Sequence, residues 1–241
     1  IIGFYIKKLS DFLIDNFGEN KKILFWGGFI VAISTIVISF SLGKLIEIIY
    51  MQSKNNIFWG LLIFLGLSSC IAARGLISSV KEIAELIESK GMNDQNEKII
   101  KEKVQRIVSR DVRSSSIEHL LRSSTESLTE NSVDGIFGPL FWIFIGIVLM
   151  KFSIFLPGPL SLGFSYKAIS TLDSMIGYKY DYFRYIGFFS AKIEDIFTFI
   201  PARLVLITLP LVGPKKIDYI SNIKKSYLDG KKYDSPNSGI Q

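Results

Sequence analysis

The stretch ILFWGGFIVAISTIVISFSLG, residues 23–43, runs for 21 positions without a charged side chain. Roughly 20 apolar residues in an α-helix span the hydrocarbon core of a bilayer, so this stretch predicts a transmembrane helix. Residues 57–73 form a second uncharged run, 17 residues long, and predict another. Residues 136–166 are apolar for 31 positions apart from Lys151, with Pro139, Pro157, Gly158 and Pro159 interrupting them. That segment reads as one kinked span with a loop or as two half-spans. Residues 196–213 are the fourth apolar segment and contain Pro201 and Arg203. Both later segments are membrane or re-entrant, and the fold class is an all-α, multi-pass membrane domain over residues 1–241.

Composition agrees once patterning is considered. The chain is 49% hydrophobic and 21% charged, with a mean hydropathy of +0.35, and its apolar residues are clustered rather than mixed. The net charge of +6 arises from lysines that are spread out or flank apolar segments, as in Lys21-Lys22 and Lys215-Lys216. That placement orients a protein in a membrane. No basic stripe with interleaved aromatics is present, which argues against a nucleic-acid partner. The single cysteine, Cys70, lies inside an apolar run and reads as a packing residue, so neither a disulfide nor a thiolate metal site follows. No internal repeat appears, and charges throughout residues 1–22 exclude a signal peptide. The chain starts without Met and ends in SPNSGIQ, so it reads as a piece of a longer protein.

Residues 3–20 predict an amphipathic helix at the membrane surface, with Phe4, Leu9, Phe12, Leu13 and Phe17 at helical spacing. Four lysines precede the first span, against Lys44 and Lys54 in the following loop, which places the N-terminus in the cytoplasm. Residues 74–135 then return there as a cytoplasmic helical segment. Within it, one apolar stripe ends at Gly91, a second covers residues 97–108, and Ser115-x-x-Glu118 fits a capping box that opens a third helix. Tyr178, Tyr180, Tyr182, Phe183 and Tyr185 resemble an interfacial aromatic belt.

The third helix of that segment is predicted to end near Gly135, and it carries the reading ESLTENSVDG at residues 126–135. Glu126, Glu130 and Asp134 recur every four residues, with Arg122 and Glu118 in the same register, so one helical face collects them. Such a face is either wet or holds something positive. Three polar clusters stand at the ends of apolar segments: Arg110-Asp111 with the ladder, Lys167 with Asp173-Ser174, and Glu194-Asp195 with Arg203. His119 is the only histidine, so zinc chemistry and a Ser-His-Asp triad are poorly supplied. Clustered carboxylates suit Mg²⁺, and the cations suit phosphate oxygens. An arginine at mid-bilayer is costly, so Arg203 should face a partner or polar cavity; Asp195 lies eight residues earlier.

The runs IVSRD (107–111), TESLTENSVDG-x-x-x-PLF (125–141), YKAISTLDSMIGY (166–178) and AKIED-x-x-x-x-IPARL (191–204) together resemble the CobD/CbiB family in order and spacing. The family pattern reads GRD, VES-x-AEN-x-x-DG, YKA-x-NTLDSM-x-GY and DD-x-x-N-x-x-PAR. The resemblance implies adenosylcobinamide-phosphate synthase, an integral membrane enzyme of cobalamin biosynthesis. Such an enzyme joins adenosylcobyric acid to aminopropanol, or its phosphate, in an ATP-dependent amide bond formation.

Carried over residue by residue, the resemblance marks Arg110, Asp111, Asn131, Lys167, Asp173, Ser174, Asp195 and Arg203 as catalytic. Arg110 and Lys167 would hold the ATP phosphates, and Glu126, Glu130 and Asp134 would hold Mg²⁺. This sequence departs from the pattern at Ser109, Ser170, Glu194 and Thr198. The resemblance further implies an inner-membrane location, a site open to the cytoplasm, lipid contact, and contacts with other membrane enzymes of the pathway. Because ATP is cytoplasmic, residues 136–166 must then re-enter or cross twice. The rival reading is a non-catalytic membrane sensor or assembly protein of the same fold, like AmpE-like proteins.

Overall fold

A computed structural model describes residues 2–53, 56–72, 94–105, 117–208, 211 and 219–232, with single positions at 75, 78, 81 and 85. Every α or π element among them is helical, and no strand occurs among the described residues. In chain order these are α1 (Ile2–Phe17), α2 (Lys21–Gln52), α3 (Ile57–Cys70), α4 (Asp94–Gln105), α5 (Ile117–Ser132), a π-helical turn (Val133–Phe137), α6 (Gly138–Met150), α7 (Pro159–Ile176), α8 (Phe183–Ile186), α9 (Phe188–Thr208) and α10 (Tyr219–Lys232). The chain divides into two compact units, residues 1–71 with 137–241, and residues 72–136.

In the larger unit α7 is the central helix, packed against α1, α2, α3, α6 and α9. Ten of its 18 residues are buried, among them Ser161, Gly163, Ser165 and Ala168. Small residues let helix backbones approach closely where lipid removes the hydrophobic drive for association. Val31 and Ala32 of α2 share a core with Leu172 and Ile176 of α7 and Ile6 of α1, whereas Gly43 of α2 lies on Leu160 and Ser161. The two helices therefore run antiparallel.

α2 opens at Asn20, whose Oδ1 accepts from the Lys22 and Ile23 amides at 3.2 Å each. It then runs for 32 residues, past the uncharged stretch and through Lys44 and Glu47. Among the described residues, two helices are long and apolar enough to cross a membrane, Lys21–Gln52 and Ser123–Met150. The second expected span is shorter than the sequence suggests. α3 stops at Cys70 after 14 residues, roughly 21 Å of rise against a core of about 30 Å.

Residues 136–166 resolve as a helical hairpin rather than a single kinked span. Gly146 of α6 lies against Gly158 and Pro159, Ile143 against Gly163, and Gly138 against Tyr166. α7 thus returns to the level at which α6 began. The helix carrying the carboxylates does not end near Gly135 either: one π turn follows Ser132, and α6 resumes at Gly138.

α1 packs on the bundle through Ile2, Ile6, Leu9 and Leu13, leaving Phe4 and Phe12 exposed. Its aromatic stripe and its packing stripe are therefore different faces. In the smaller unit α4 packs against α5, burying Ile100 and Val104, and the Ala72 amide donates to the Gly135 carbonyl at 2.8 Å. The stripe ending at Gly91, the Ser115 capping box, the IVSRD run with Arg110 and Asp111, and the tail from residue 233 lie outside the described residues.

Candidate functional site

Three of the marked residues sit on α7 because the YKAISTLDSM run continues the helix that the hairpin packs. Lys167 is half-buried, and among the described residues no carboxylate comes within ion-pair distance of its ammonium. Two turns on, the Asp173 carbonyl accepts from the Gly177 amide at 2.8 Å as the helix closes. The Asp173 carboxylate folds over Gly177, where any side chain would strike it. The Ser174 hydroxyl donates back to Ser170 O at 2.9 Å and Thr171 O at 3.1 Å. Tyr178 OH in turn donates to Ser174 O at 2.9 Å. Ser174 is thereby oriented by its own helix.

α9 holds the next set. Lys192 Nζ lies 3.2 Å from Asp195 Oδ2, one turn apart on the helix. Thr198, fully buried, donates from Oγ1 to Glu194 Oε1 at 2.5 Å and also contacts the Glu194 carbonyl. The two positions at which this stretch departs from the family pattern are therefore bonded to each other. Arg203 does not pair with Asp195. Its Nη1 donates to Phe199 O at 2.7 Å, and its guanidinium carbon lies 3.4 Å from the Phe199 ring centroid. A cation over an aromatic face is held by the ring quadrupole, which here keeps Arg203 against its own helix.

These helices bring the polar residues of the larger unit to one end. The α8 segment seats on α2 where Gly28 leaves room for the Ile186 carbonyl, and Phe189 stacks among Phe25 and Phe29 at 4.7 and 5.0 Å. Lys21 lies 5.6 Å over the Tyr185 ring. Consequently the start of α2, the end of α7 and the start of α9 share a level, and Asp173, Ser174, Glu194 and Asp195 share it too. Tyr178, Tyr180 and Phe183 cluster there with centroids 5.4 to 5.9 Å apart. Arg203 lies eight residues beyond Asp195, about 12 Å further along α9.

The smaller unit carries the acids. Glu126 and Glu130 lie one turn apart on α5, both half-buried. Asn131 Nδ2 donates to Ser127 O at 2.7 Å, which fixes its amide on the helix. Asp134 falls in the π turn, so the strict four-residue register stops at Ser132. π turns inside α-helices recur at functional sites, where the extra residue re-aims side chains. Among the described residues no three His, Cys, Asp or Glu side chains converge as a cage for a metal. Two carboxylates one turn apart nonetheless fit Mg²⁺, which takes one or two carboxylates and completes its shell with water and substrate phosphate.

One buried acid has no place in the sequence motifs. Glu47 is 2% exposed and bonds the start of α7. Its only sequence signal is a carboxylate within a helix-length apolar context, just past the uncharged run that Lys44 closes.

Together the fold and these residues define an all-helical protein with helices of membrane-crossing length, bearing carboxylates at the polar end of its apolar bundle and a lysine nearly two turns along α7 from them. The sequence model for CobD/Cbib protein matches residues 1–241. This chain belongs to the CobD/CbiB family. It is 32% identical over 239 residues to the cobalamin biosynthesis protein CobD of Synechocystis, covering 99% of this chain and 65% of that protein. With CobD of Clostridium acetobutylicum it is 35% identical over 241 residues, covering 98% and 69%. With the probable CobD of Methanocaldococcus jannaschii it is 35% identical over 248 residues, covering 98% and 72%. The chain thus spans about two thirds of the length of the relatives it matches. No solved structure matches it.

Proposed function

We propose that the protein acts in cobalamin biosynthesis as a multi-pass membrane ligase. It would join the propionate of adenosylcobyric acid to aminopropanol or its phosphate at the expense of ATP. The observation that carries this reading is the gathering of Asp173, Ser174, Glu194 and Asp195 at one end of the larger unit, with Lys167 two turns away on α7. A scattered set of membrane-end charges would need no such shared level. The naming of the relatives supports the pathway.

Amide formation from a carboxylate needs an activated acyl group. The substrate carboxylate attacks the γ-phosphorus of ATP and ADP leaves; the amine then attacks the acyl carbon and phosphate departs. Lys167 offers an ammonium to the phosphate oxygens, where a compact cation stabilises the charge that develops in transfer. Asp173 or Asp195 accepts the proton that the amine loses on attack. Glu126 and Glu130, in the smaller unit, are assigned to Mg²⁺ by charge type and motif position alone; the metal would supply charge neutralisation. Arg110 and Asp111 are assigned by motif position alone. The site is assigned to the cytoplasmic side, the source of ATP; the antiparallel packing of α6 on α7, which returns the chain to the level at which α6 began, supports that reading.

The test is rescue of a cobalamin auxotroph blocked at this ligation by the full-length protein. Growth rescue, lost in Lys167→Met, supports the reading. Failure at good membrane expression overturns it in favour of a non-catalytic membrane protein of the same fold.

A further inference from the structure

Glu47 is the one charged side chain among the described residues that is fully buried. Its Oε1 accepts hydrogen bonds from the Leu160 amide at 2.6 Å and the Ser161 amide at 3.1 Å, in the first turn of α7. The first amides of a helix have no partner within it, and the preceding residue usually supplies an acceptor from its side chain. Here that residue is Gly158, which has none. The cap comes instead from another helix, 113 residues away in sequence.

Lys44 completes the arrangement. Its Nζ lies 3.8 Å from Glu47 Oε2 and donates to the carbonyls of Ile154, at 2.6 Å, and Leu156 in the hairpin loop. One pair of side chains on α2 therefore grips both the loop and the first turn of α7. The close approach depends on two glycines. A Cβ at Gly43 would lie 2.7 Å from Ser161 Cα, and one at Gly158 would strike the Glu47 carboxylate itself. Burying a carboxylate is strongly unfavourable unless donors and a counter-charge meet it, and here two amides, the helix N-terminal dipole and Lys44 all do.

We propose that Lys44 and Glu47 form a clasp that sets the axial register of α7 on α2. Glu47 is then a positioning residue for the Lys167–Ser174 cluster carried by the same helix. Away from the clasp, α2 and α7 meet through Val31, Ala32, Leu172 and Ile176. Apolar contacts are non-directional, and in lipid they have little preference for one register over another. The clasp supplies direction. A slip of one turn would move Lys167 and Asp173 by about 5.4 Å, enough to separate them from their neighbours on α2 and α9. The consequence for catalysis rests on the proposed function; the clasp itself does not.

Cys70, the chain's single cysteine, provides a built-in reporter. It is 1% exposed, and a Cβ at Gly163 of α7 would lie 3.4 Å from its Sγ, so it is covered only while α7 is seated. The experiment measures maleimide labelling at Cys70, read from the Cys70 peptide by mass spectrometry, in the full-length protein, in detergent, for native, Glu47→Ala, Glu47→Asp and Glu47→Gln chains. Loss of two charge-assisted hydrogen bonds raises transient opening, so Glu47→Ala should label about tenfold faster or more. Glu47→Asp keeps the charge but is one methylene too short to reach the amides, and should label like the alanine variant. Glu47→Gln keeps the acceptor oxygen but loses the charge that faces Lys44, and should label at a rate between native and the alanine variant. Native-rate labelling of folded Glu47→Ala overturns the clasp. Should the alanine variant not fold, equal labelling of Glu47→Asp and Glu47→Gln overturns it instead. In parallel, kcat should fall in Glu47→Asp and recover in part in Glu47→Gln; absence of activity in the native protein would count against the proposed reaction alone.

Discussion

The indole N–H of Trp142 on α6 donates a 3.1 Å hydrogen bond to the carbonyl of Phe197 on α9, and the two rings lie 4.8 Å apart. Pro201 explains why that carbonyl needs a donor. In an uninterrupted helix the amide four residues on would bond it, but proline has no N–H. Within an apolar bundle, a carbonyl left unsatisfied is expensive, and a neighbouring helix is the usual source of repair. Trp142 therefore joins the hairpin to α9 at the one point where the ladder of α9 is open.

This predicts a coupled pair. Trp142→Phe keeps most of the ring stacking and removes the donor, and should destabilise the protein by about 1–3 kcal/mol. Pro201→Ala restores an amide to the helix, so Trp142→Phe in that background should cost clearly less. Thermal unfolding in detergent of the two single variants and the double variant measures the coupling. Additive losses would mean that the indole bond compensates nothing.

Glu194 and Thr198 form a second coupled pair, through the 2.5 Å bond between Oγ1 and Oε1. The family pattern has Asp and Asn at these places, a shorter acid with a longer partner. Glu194→Asp alone should pull the carboxylate back from the buried hydroxyl and lose activity and stability together. Adding Thr198→Asn should recover much of the loss, because the reach removed from one side is returned by the other. Residues in contact typically couple by about 0.5–3 kcal/mol in a double-mutant cycle. A cycle that closes with no coupling would sink the idea that the two departures compensate.

The helical class and the first long apolar helix are legible from the uncharged run at residues 23–43, since hydropathy and length alone mark a helix able to span. What was not legible follows from single charges and single backbone groups. Lys44 and Glu47 look like the start of a loop, because a charge normally closes a span, yet each is satisfied within the bundle and α2 continues to Gln52. Pro157, Gly158 and Pro159 mark a break but do not say whether the chain goes on or turns back; the answer lies in Gly138, Gly146 and Gly163, whose missing side chains let the two arms pack. The π turn at Val133–Phe137 has no periodic signature, so in the sequence the ladder through Asp134 presents a single face. The pattern marks candidate residues on α7 and α9, whereas their neighbours, Gly177 beside Asp173 and Phe199 beneath Arg203, are visible only in three dimensions.

Lys167 is the cation assigned to phosphate. Since it is half-buried and without a carboxylate in ion-pair range among the described residues, its removal should leave folding nearly intact. Surface and half-buried substitutions away from such networks usually change stability by under about 0.5 kcal/mol. Lys167→Met should lower ligation by about a hundredfold or more, on the scale of losing one preorganised stabiliser of transition-state charge. Thermal stability measured beside ATP-dependent product formation separates the two effects. Equal activity in the native and Lys167→Met proteins would remove Lys167 from the reaction.

Glu126 and Glu130 carry the remaining prediction. Both stand half-buried on α5, one turn apart, a sequence spacing from which two carboxylates can reach one Mg²⁺. Glu130→Gln preserves size and hydrogen bonding but removes one negative charge from the ligand set. The Mg²⁺ concentration needed for half-maximal ligation should then rise by about tenfold or more, with much of the rate recovered at saturating Mg²⁺. Glu126→Gln should behave in the same way if the two acids act as a pair. Asp134, turned by the π segment out of the four-residue register, should show a smaller Mg²⁺ shift on change to Asn. Titrations of product formation against Mg²⁺ for the three variants rank the acids. An unchanged Mg²⁺ requirement in Glu130→Gln would remove α5 from metal binding and leave its carboxylates to the organic substrate.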